Sequence, residues 1–242
     1  MNKHLVVIPA HNEEKTIYEV VTKALKYSDV SVTDDASRDR TPFLLKSILS
    51  ECDLGRHAHQ LNIITHPHTT HIAQSIQDGF AFARRCGYDF VVTMDAGFSH
   101  DPEALPDFMR EDPQVDVVIG RRIKKQKVPW HRKIISVLAN GVVNYVLTGS
   151  LLKMLRPDFK DCTSGYRRYS KRAYELIAGT DLKSKAFEFH VEAILLCHRS
   201  GMTMKEIPIT YVFSNSSLDF NTLRQAVKYG VDLIRNKNAF KL

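Results

Sequence analysis

Residues 4–35, HLVVIPAHNEEKTIYEVVTKALKYSDVSVTDD, hold the pattern that decides the fold. HLVVIP is a short apolar run of the kind that forms a buried strand. EEKTIYEVVTKALK follows, with Ile17, Val20, Val21, Ala24 and Leu25 at the spacing of one helix face. DVSVTDD then predicts a second strand with acids at its end. The pattern recurs downstream. TPFLLKSILSEC predicts a helix with Thr41 as its N-cap and Pro42 at the first helical position. LNIIT precedes IAQSIQDGFAFARRC, FVVTMD precedes PEALPDFMR, and VDVVIGRR is another strand. Alternating strands and helices imply parallel crossovers. The expected fold is α/β, a mostly parallel, doubly wound sheet with helices on both faces. Ligands of such sheets bind beyond the carboxyl ends of the strands. His11, Asn12, Glu13, Asp34, Asp35, Asp95, Arg121 and Arg122 all fall there.

The second half is helical and amphipathic, and less regular. GRRIKKQKVPWHRK is densely basic. In IISVLANGVVNYVLTGSLLKML, Ser136, Asn140, Asn144 and Thr148 make a polar stripe at every fourth residue. That stripe, with Gly141 and Gly149, argues against a membrane span, which needs about 20 largely apolar residues. A basic run beside an amphipathic helix suits an anionic membrane surface, and a buried core helix is the alternative. DCTSGYRRYSKRAYELI reads as a loop entering a helix, FEFHVEAILLCHRSG as a helix, EIPITYVF as a strand and LRQAVKYGVDLIR as a terminal helix. No Pro/Gly/Ser linker divides the chain, so one domain is expected.

The 242 residues carry a net charge of +7, which favours anionic partners. The four scattered cysteines form no CxxC pair and suggest reduced thiols in a cytoplasmic protein; MNKHLVVIPA lacks the pattern of a signal peptide. There is no phosphate-binding Walker loop and no GxGxxG after the first strand. No helix-turn-helix, zinc or RNA-recognition signature appears, so nucleic acid is not expected as a partner. HAHQLNIITHPHTTH, rich in histidine, meets no zinc-site spacing and reads as a solvated loop. Asp95 lies too far upstream of Pro102 to cap the helix there, which points to a ligand role.

Taken in order, these segments resemble the family 2 inverting glycosyltransferases. VVIPAHNEE resembles VxIPxxNE, and TDDASRDRT resembles DDGSxDxT. MDAGFSHDPEALP is similar to MDADxxHxPE of the dolichyl- and polyprenyl-phosphate mannosyltransferase branch. GRRI with its downstream W-x-R resembles GSRY with Trp and Arg, and DCTSGYRRY resembles DxTSGFRxY. The resemblance implies a nucleotide-sugar transferase fold of the A type. It implies a GDP- or UDP-sugar donor, a divalent metal (Mg²⁺ or Mn²⁺) and a polyprenyl, dolichyl-type phosphate acceptor. It places Pro9, His11, Glu13 and Asp35 at the nucleotide and Asp95 at the metal and diphosphate. Arg122 and Arg132 would face phosphates, with Ser164, Arg167 and Glu192 on the acceptor side. Residues 1–122 would bind the nucleotide sugar, and residues 123–242 would face acceptor and membrane. Gly97 replaces a metal-binding acid, so the metal is expected to be held weakly.

The chemistry of transfer agrees. The leaving nucleoside diphosphate develops charge that a metal or arginines must meet. A hydroxyl acceptor also needs a general base, for which Glu192 or Asp161 would serve. A phosphate acceptor is already anionic. The expected protein is thus a peripheral enzyme of the cytoplasmic membrane face, acting on a lipid phosphate. A saccharide or protein hydroxyl acceptor, or a non-catalytic nucleotide-sugar binder, are the alternatives.

Overall fold

The computed structural model describes residues 2–126, 130–182, 184, 186 and 188–212; side chains of 124–126, 130–136, 138, 139 and 212 lie outside that description. The terminal helix expected over LRQAVKYGVDLIR, the side chain of Arg132 and most of the basic run therefore fall outside it.

The first half alternates as its periodicity dictates. The order is β1 (His4–Ala10), α1 (Ile17–Ala24), β2 (Asp29–Asp34), α2 (Thr41–Asp53), β3 (Leu61–Thr65), α3 (His71–Cys86) and β4 (Phe90–Thr93). A 3₁₀ turn at Pro102–Ala104 leads into α4 (Leu105–Met109) and β5 (Val117–Gln126). Then come α5 (Trp130–Thr148), α6 (Leu151–Leu155), β6 (Arg167–Ser170), α7 (Lys171–Ala178), α8 (Phe189–Arg199) and β7 (Met204–Val212). The strands form one sheet in the order β3-β2-β1-β4-β6-β5-β7. β1 to β4 run parallel, and β5 and β7 share their direction. β6 is antiparallel to both β4 and β5.

Because alternate strand residues face opposite sides, the sheet divides two cores. Val6 and Ile8 pack with α1, α2 and α4, burying Ile17, Val20, Val21, Leu45, Ile48 and Phe108. Leu5 and Val7 pack with α3, α5, α7 and α8, burying Ile76, Phe80, Val143, Tyr174 and Ile194. α3 lies so close that a Cβ at Gly79 would sit 2.4 Å from Val7 Cγ1, which is why that helix position holds glycine.

Two expectations are corrected and one left open is resolved in part. First, DCTSGYRRYS contains a strand, β6, where only a loop was expected. Its inward arginines hid it. Arg168 is buried with its guanidinium donating to the carbonyls of Phe108, Glu111, Asp112 and Val115, and it lies over the Phe90 ring. Second, Thr41 does not cap α2 with its side chain. Its Oγ1 accepts from the Glu13 amide at 2.8 Å, and Asp39 accepts from the Thr41 amide at 2.9 Å. Of the two readings left open for α5, the asparagines of its polar stripe favour the buried one: Asn140 and Asn144 face inward, while Thr148 is exposed. Asn140 donates to Lys160 O and accepts from the Cys162 amide; Asn144 donates to Phe159 O and accepts from the Phe159 amide. This ladder fixes the 159–162 loop. Apolar Val137 on α5, and Leu151, Leu152 and Leu155 on α6, are left exposed. The helix thus packs into the core through Val143 and Val146 as well as through its asparagines, and Val137 is left at the surface.

Candidate active site

The carboxyl ends of β1, β2 and β4 meet in one cleft, and the antiparallel β6 brings a further loop to it. Thr93 pairs with Arg167, so Gly165, two residues before Arg167, lies opposite Asp95, two residues beyond Thr93. Thr93 Oγ1 donates to Gly165 O at 2.8 Å and fixes this register. On the other side of β6, Ile119 pairs with Arg167, which sets Arg122 against the 161–163 loop.

On the side expected to hold the nucleotide, Pro9 is the half-buried penultimate residue of β1, and His11, Asn12 and Glu13 form the following turn. Asn12 takes a left-handed φ of 57° and accepts at Oδ1 from the Arg38 amide. His11 donates from Nδ1 to Asp35 O at 2.6 Å and accepts at Nε2 from the side-chain Nδ2 of Asn12 at 3.0 Å. Burial raises the pKa of Glu13, opposed by the Thr16 hydroxyl and reinforced by the charges of Asp95 and Asp39. Asp35 is buried. Its Oδ1 accepts from the Thr70 amide (2.7 Å), Thr70 Oγ1 and His66 Nδ1 (2.8 Å), and Oδ2 accepts from the His71 amide (2.9 Å). Burial would raise its pKa, but these donors outweigh it and hold the carboxyl low.

His66 was read as part of a solvated loop, and the structure corrects this. It is buried, bonded through Nδ1 to Asp35 and through Nε2 to Asp78, both at 2.8 Å. Burial opposes its charge, but the two carboxylates prevail and raise its pKa. Spacing alone could not bring residues 35, 66 and 78 together.

Asp95 remains 43% exposed and faces the cleft. His100 Nδ1 accepts from the Asp95 amide at 3.0 Å. Burial lowers the pKa of His100, so its imidazole is neutral with the proton on Nε2. The 3.4 Å approach of His100 Nδ1 to Asp95 Oδ2 is therefore two acceptors side by side, and not an ion pair. His190, in the first turn of α8, is enclosed, with Nδ1 buried and unpartnered. A Cβ added to Gly165 would stand 2.8 Å from His190 Nε2 and 3.5 Å from Asp95 Oδ1. The bare glycine lets His190 pack directly against the start of β6, where a side chain would collide with it.

Arg122 is gripped by Asp161, its Nε donating to Oδ2 at 2.7 Å and its Nη2 to Oδ1. Nη2 also reaches Thr163 Oγ1, and the guanidinium lies 5.1 Å from the Tyr211 ring centre. Burial works against the charge of Arg122, but Asp161 outweighs it. Asp161 is 1% exposed, and Glu206 on β7 holds its amide.

The residues expected on the acceptor side lie deeper than a ligand contact requires. Arg167 is fully buried and donates to His190 O and Cys162 O, joining β6 to α8. Its guanidinium faces carbonyls, where a phosphate contact was expected. Ser164 is buried with Oγ unpartnered, and buried Glu192 accepts from the amide and hydroxyl of Ser184.

Among the described residues, no group of three or more His, Cys, Asp or Glu could hold a metal. The donors near Asp95 nevertheless fit a divalent ion held in part by substrate. Asp95 offers one accessible carboxylate, and Mg²⁺ ordinarily rests on one or two carboxylates plus phosphate oxygens and water.

Comparison with known proteins agrees with this arrangement. Residues 5–177 match the family model Glycosyl transferase family 2. Undecaprenyl-phosphate mannosyltransferase of Micrococcus luteus is 31% identical over 86% of this chain and 83% of its own length. Polyprenol monophosphomannose synthase of Mycolicibacterium smegmatis is 26% identical over 92% of this chain and 83% of its own. UDP-N-acetylglucosamine--dolichyl-phosphate N-acetylglucosaminyltransferase of Methanococcus voltae is 26% identical over 88% and 87%. Glucosyl-3-phosphoglycerate synthase from Mycobacterium tuberculosis, solved with Mn²⁺, UDP and phosphoglyceric acid, superposes with a TM-score of 0.65 over 98% of this chain and 78% of that one. At 16% identity that likeness shows the fold alone. With its motifs in order along the sheet and the family model spanning most of its length, this chain belongs to glycosyl transferase family 2.

Proposed function

We propose that the chain transfers a sugar from a nucleoside-diphosphate donor to a polyprenyl phosphate at a membrane surface. The observation that carries the acceptor class is the state of two carboxylates. A hydroxyl acceptor needs a general base, and Asp161 and Glu192 were its candidates. Asp161 is locked to Arg122, and Glu192 is buried against Ser184. A lipid phosphate is ionised near neutral pH and needs no such base. The relatives agree with this reading, since all three are named for lipid-phosphate chemistry, with mannose or N-acetylglucosamine as the sugar.

In this reading Pro9, His11, Glu13 and Asp35 form the nucleotide wall, with Asp35 acting through the loop it holds. An acceptor phosphate oxygen attacks the anomeric carbon as the bond to the nucleoside diphosphate breaks, and the configuration inverts. A divalent ion, when bound, supplies positive charge to the departing diphosphate. Arg122 adds a fixed cation held in orientation by Asp161, and Arg132 is assigned a similar part. The acceptor approaches from the side of α5 and α6. There Leu151, Leu152 and Leu155 stand exposed around Lys153, beside Arg156. Among the described residues no helix is long and apolar enough to cross a membrane, so contact through this face is peripheral. The cytoplasmic leaflet, rich in anionic lipid, matches the +7 net charge.

The test is turnover with a panel of labelled GDP- and UDP-sugars, with and without polyprenyl phosphate, read by product mass. Product carrying the sugar on lipid phosphate is expected. Transfer to a saccharide or protein hydroxyl without the lipid would overturn the acceptor assignment.

A further inference from the structure

We propose that His66 is a positioning residue for the nucleotide: by joining Asp35 to Asp78 it holds the turns after β1, β2 and β3 in the shape that binds the donor. This inference rests on the nucleotide-sugar reading and adds to it a residue that acts through Asp35.

Three observations meet at Asp35. The first is the clasp itself. His66 Nδ1 and Nε2 each stand 2.8 Å from a carboxylate oxygen, of Asp35 just beyond β2 and of Asp78 on α3. An ionised carboxylate only accepts, so both ring nitrogens carry protons when both contacts are made. Gln74 Nε2 donates to the other oxygen of Asp78 at 3.0 Å, which fixes that carboxylate in turn. The second observation is that Asp35 ties three turns together. Its carbonyl accepts from His11 in the turn after β1, and its carboxylate accepts from the Thr70 and His71 amides beyond β3. The third is strain. Among the described residues, the non-glycine residues of left-handed φ are Asn12 (57°), Ala36 (57°) and His71 (71°). One lies in each of the three turns: Asn12 beside His11, Ala36 beside Asp35, and His71 with its amide on the Asp35 carboxylate. Such backbone angles are costly and persist only where the surroundings over-determine them, as they do at ligand clamps. A plain core role would account for a buried histidine, but not for three strained turns gathered around its partner.

The clasp depends on charge. Asp35 and Asp78 are the charged groups that face His66; His11 reaches it only through the Asp35 carbonyl, and His68 and His71 of its own loop are exposed. The two carboxylates raise the pKa of His66, so the clasp is complete below the ordinary value and loosens as pH rises through the folded one.

The experiment is calorimetric binding of UDP and GDP, with Mg²⁺, to the whole chain between about pH 5.5 and 8.5. His66→Gln should weaken the better-bound nucleotide about 10-fold at the acid end, the equivalent of one lost hydrogen bond to a charged group. Wild-type affinity should decline as pH rises through the folded pKa of His66, and the variant should lack that decline. Comparing the two curves cancels the ionisation of His11 and of the phosphates. Asp78→Asn should weaken binding in the same direction from α3. His71→Gly in the His66→Gln background should recover affinity, because glycine takes a positive φ without steric cost. Circular dichroism establishes that each variant is folded at the assay temperature. If His66→Gln does not fold, Asp78→Asn carries the test, since that carboxylate is 32% exposed. Wild-type affinity and pH dependence in either folded variant overturns the inference and leaves the transferase reading standing. A double variant that binds no better than His66→Gln overturns the role given to the strained turns. No binding of either nucleotide by the wild type overturns the donor reading as well.

Discussion

At the scale of single residues, charge is held by partners chosen from distant parts of the chain. Arg122 keeps its fork only because Asp161, 39 residues away, meets it with both oxygens. Arg122→Lys retains the charge but loses the paired geometry. Its turnover should fall on the order of 100-fold, the scale of losing one oriented donor to developing charge, while its melting curve moves little. Asp161→Asn should act on stability, costing about 3–5 kcal/mol in denaturant titration, because a buried guanidinium loses its counter-charge. Wild-type turnover in folded Arg122→Lys would remove that residue from the site. His66 sets a pH window. Its pKa is raised above the ordinary 6.5, so its contribution is complete below that value and lost as pH rises through the higher folded value. Asp35 is lowered below 3.8, so its contribution is present above that value and lost as pH falls through the folded one. The pair stabilises the β3–α3 loop most between those limits. His66→Gln should cost about 1–3 kcal/mol near pH 6 through the unsatisfied carboxylates. The deficit should shrink on the alkaline side, as measured by urea melts across pH.

At the scale of elements, α5 carries the clearest test. Asn144 makes reciprocal bonds with the Phe159 backbone, and its backbone carbonyl accepts from Thr148. Asn144→Leu keeps the volume but leaves the Phe159 amide and carbonyl without their partner. It should destabilise by about 1–3 kcal/mol per group left unmet and lower turnover by loosening the loop that ends at Asp161. A neutral Asn144→Leu would mean that the loop is held elsewhere. The first-half helices were legible because each buries one face, as Ile17, Val20, Val21 and Ala24 mark the buried side of α1, and the strands because they are short apolar runs buried on both faces. Asp95 was legible as a residue just beyond a strand end, but Arg122 was expected after its strand and lies within it, because β5 runs on beside β7 as far as Gln126. The stripe on α5 was visible, but its direction was not. An asparagine satisfied by a loop and one satisfied by water look alike in a sequence. β6 was missed for a related reason. RRYS has the composition of a surface, and the carbonyls that make Arg168 a core residue come from residues 108–115.

At the scale of the whole molecule, polar chemistry gathers at one end of the sheet, and α6 offers apolar side chains to the surroundings. Burying a leucine contributes roughly 1.5–3 kcal/mol, and each basic side chain near an anionic surface contributes about 1 kcal/mol. Leu151→Asp with Leu155→Asp should therefore release the protein from phosphatidylserine-containing vesicles in sedimentation, with donor binding intact. Unchanged sedimentation would assign membrane contact to another face. The basic run at 121–133 predicts that wild-type attachment weakens with salt, as screening requires.

The central place of β6 also governs how the protein can be made. In the finished sheet β6 lies between β4 and β5, yet it is synthesised after both. When β4 leaves the ribosome it has β1 on one side and an open edge on the other, until Arg167–Ser170 arrive. β5 has no strand partner at all before β6 and β7. An unpaired edge is a template for association with other chains, and such late, distant pairings slow folding. A fragment ending at residue 122 should thus aggregate on expression, and nascent chains should become protease-resistant only after β7 has emerged.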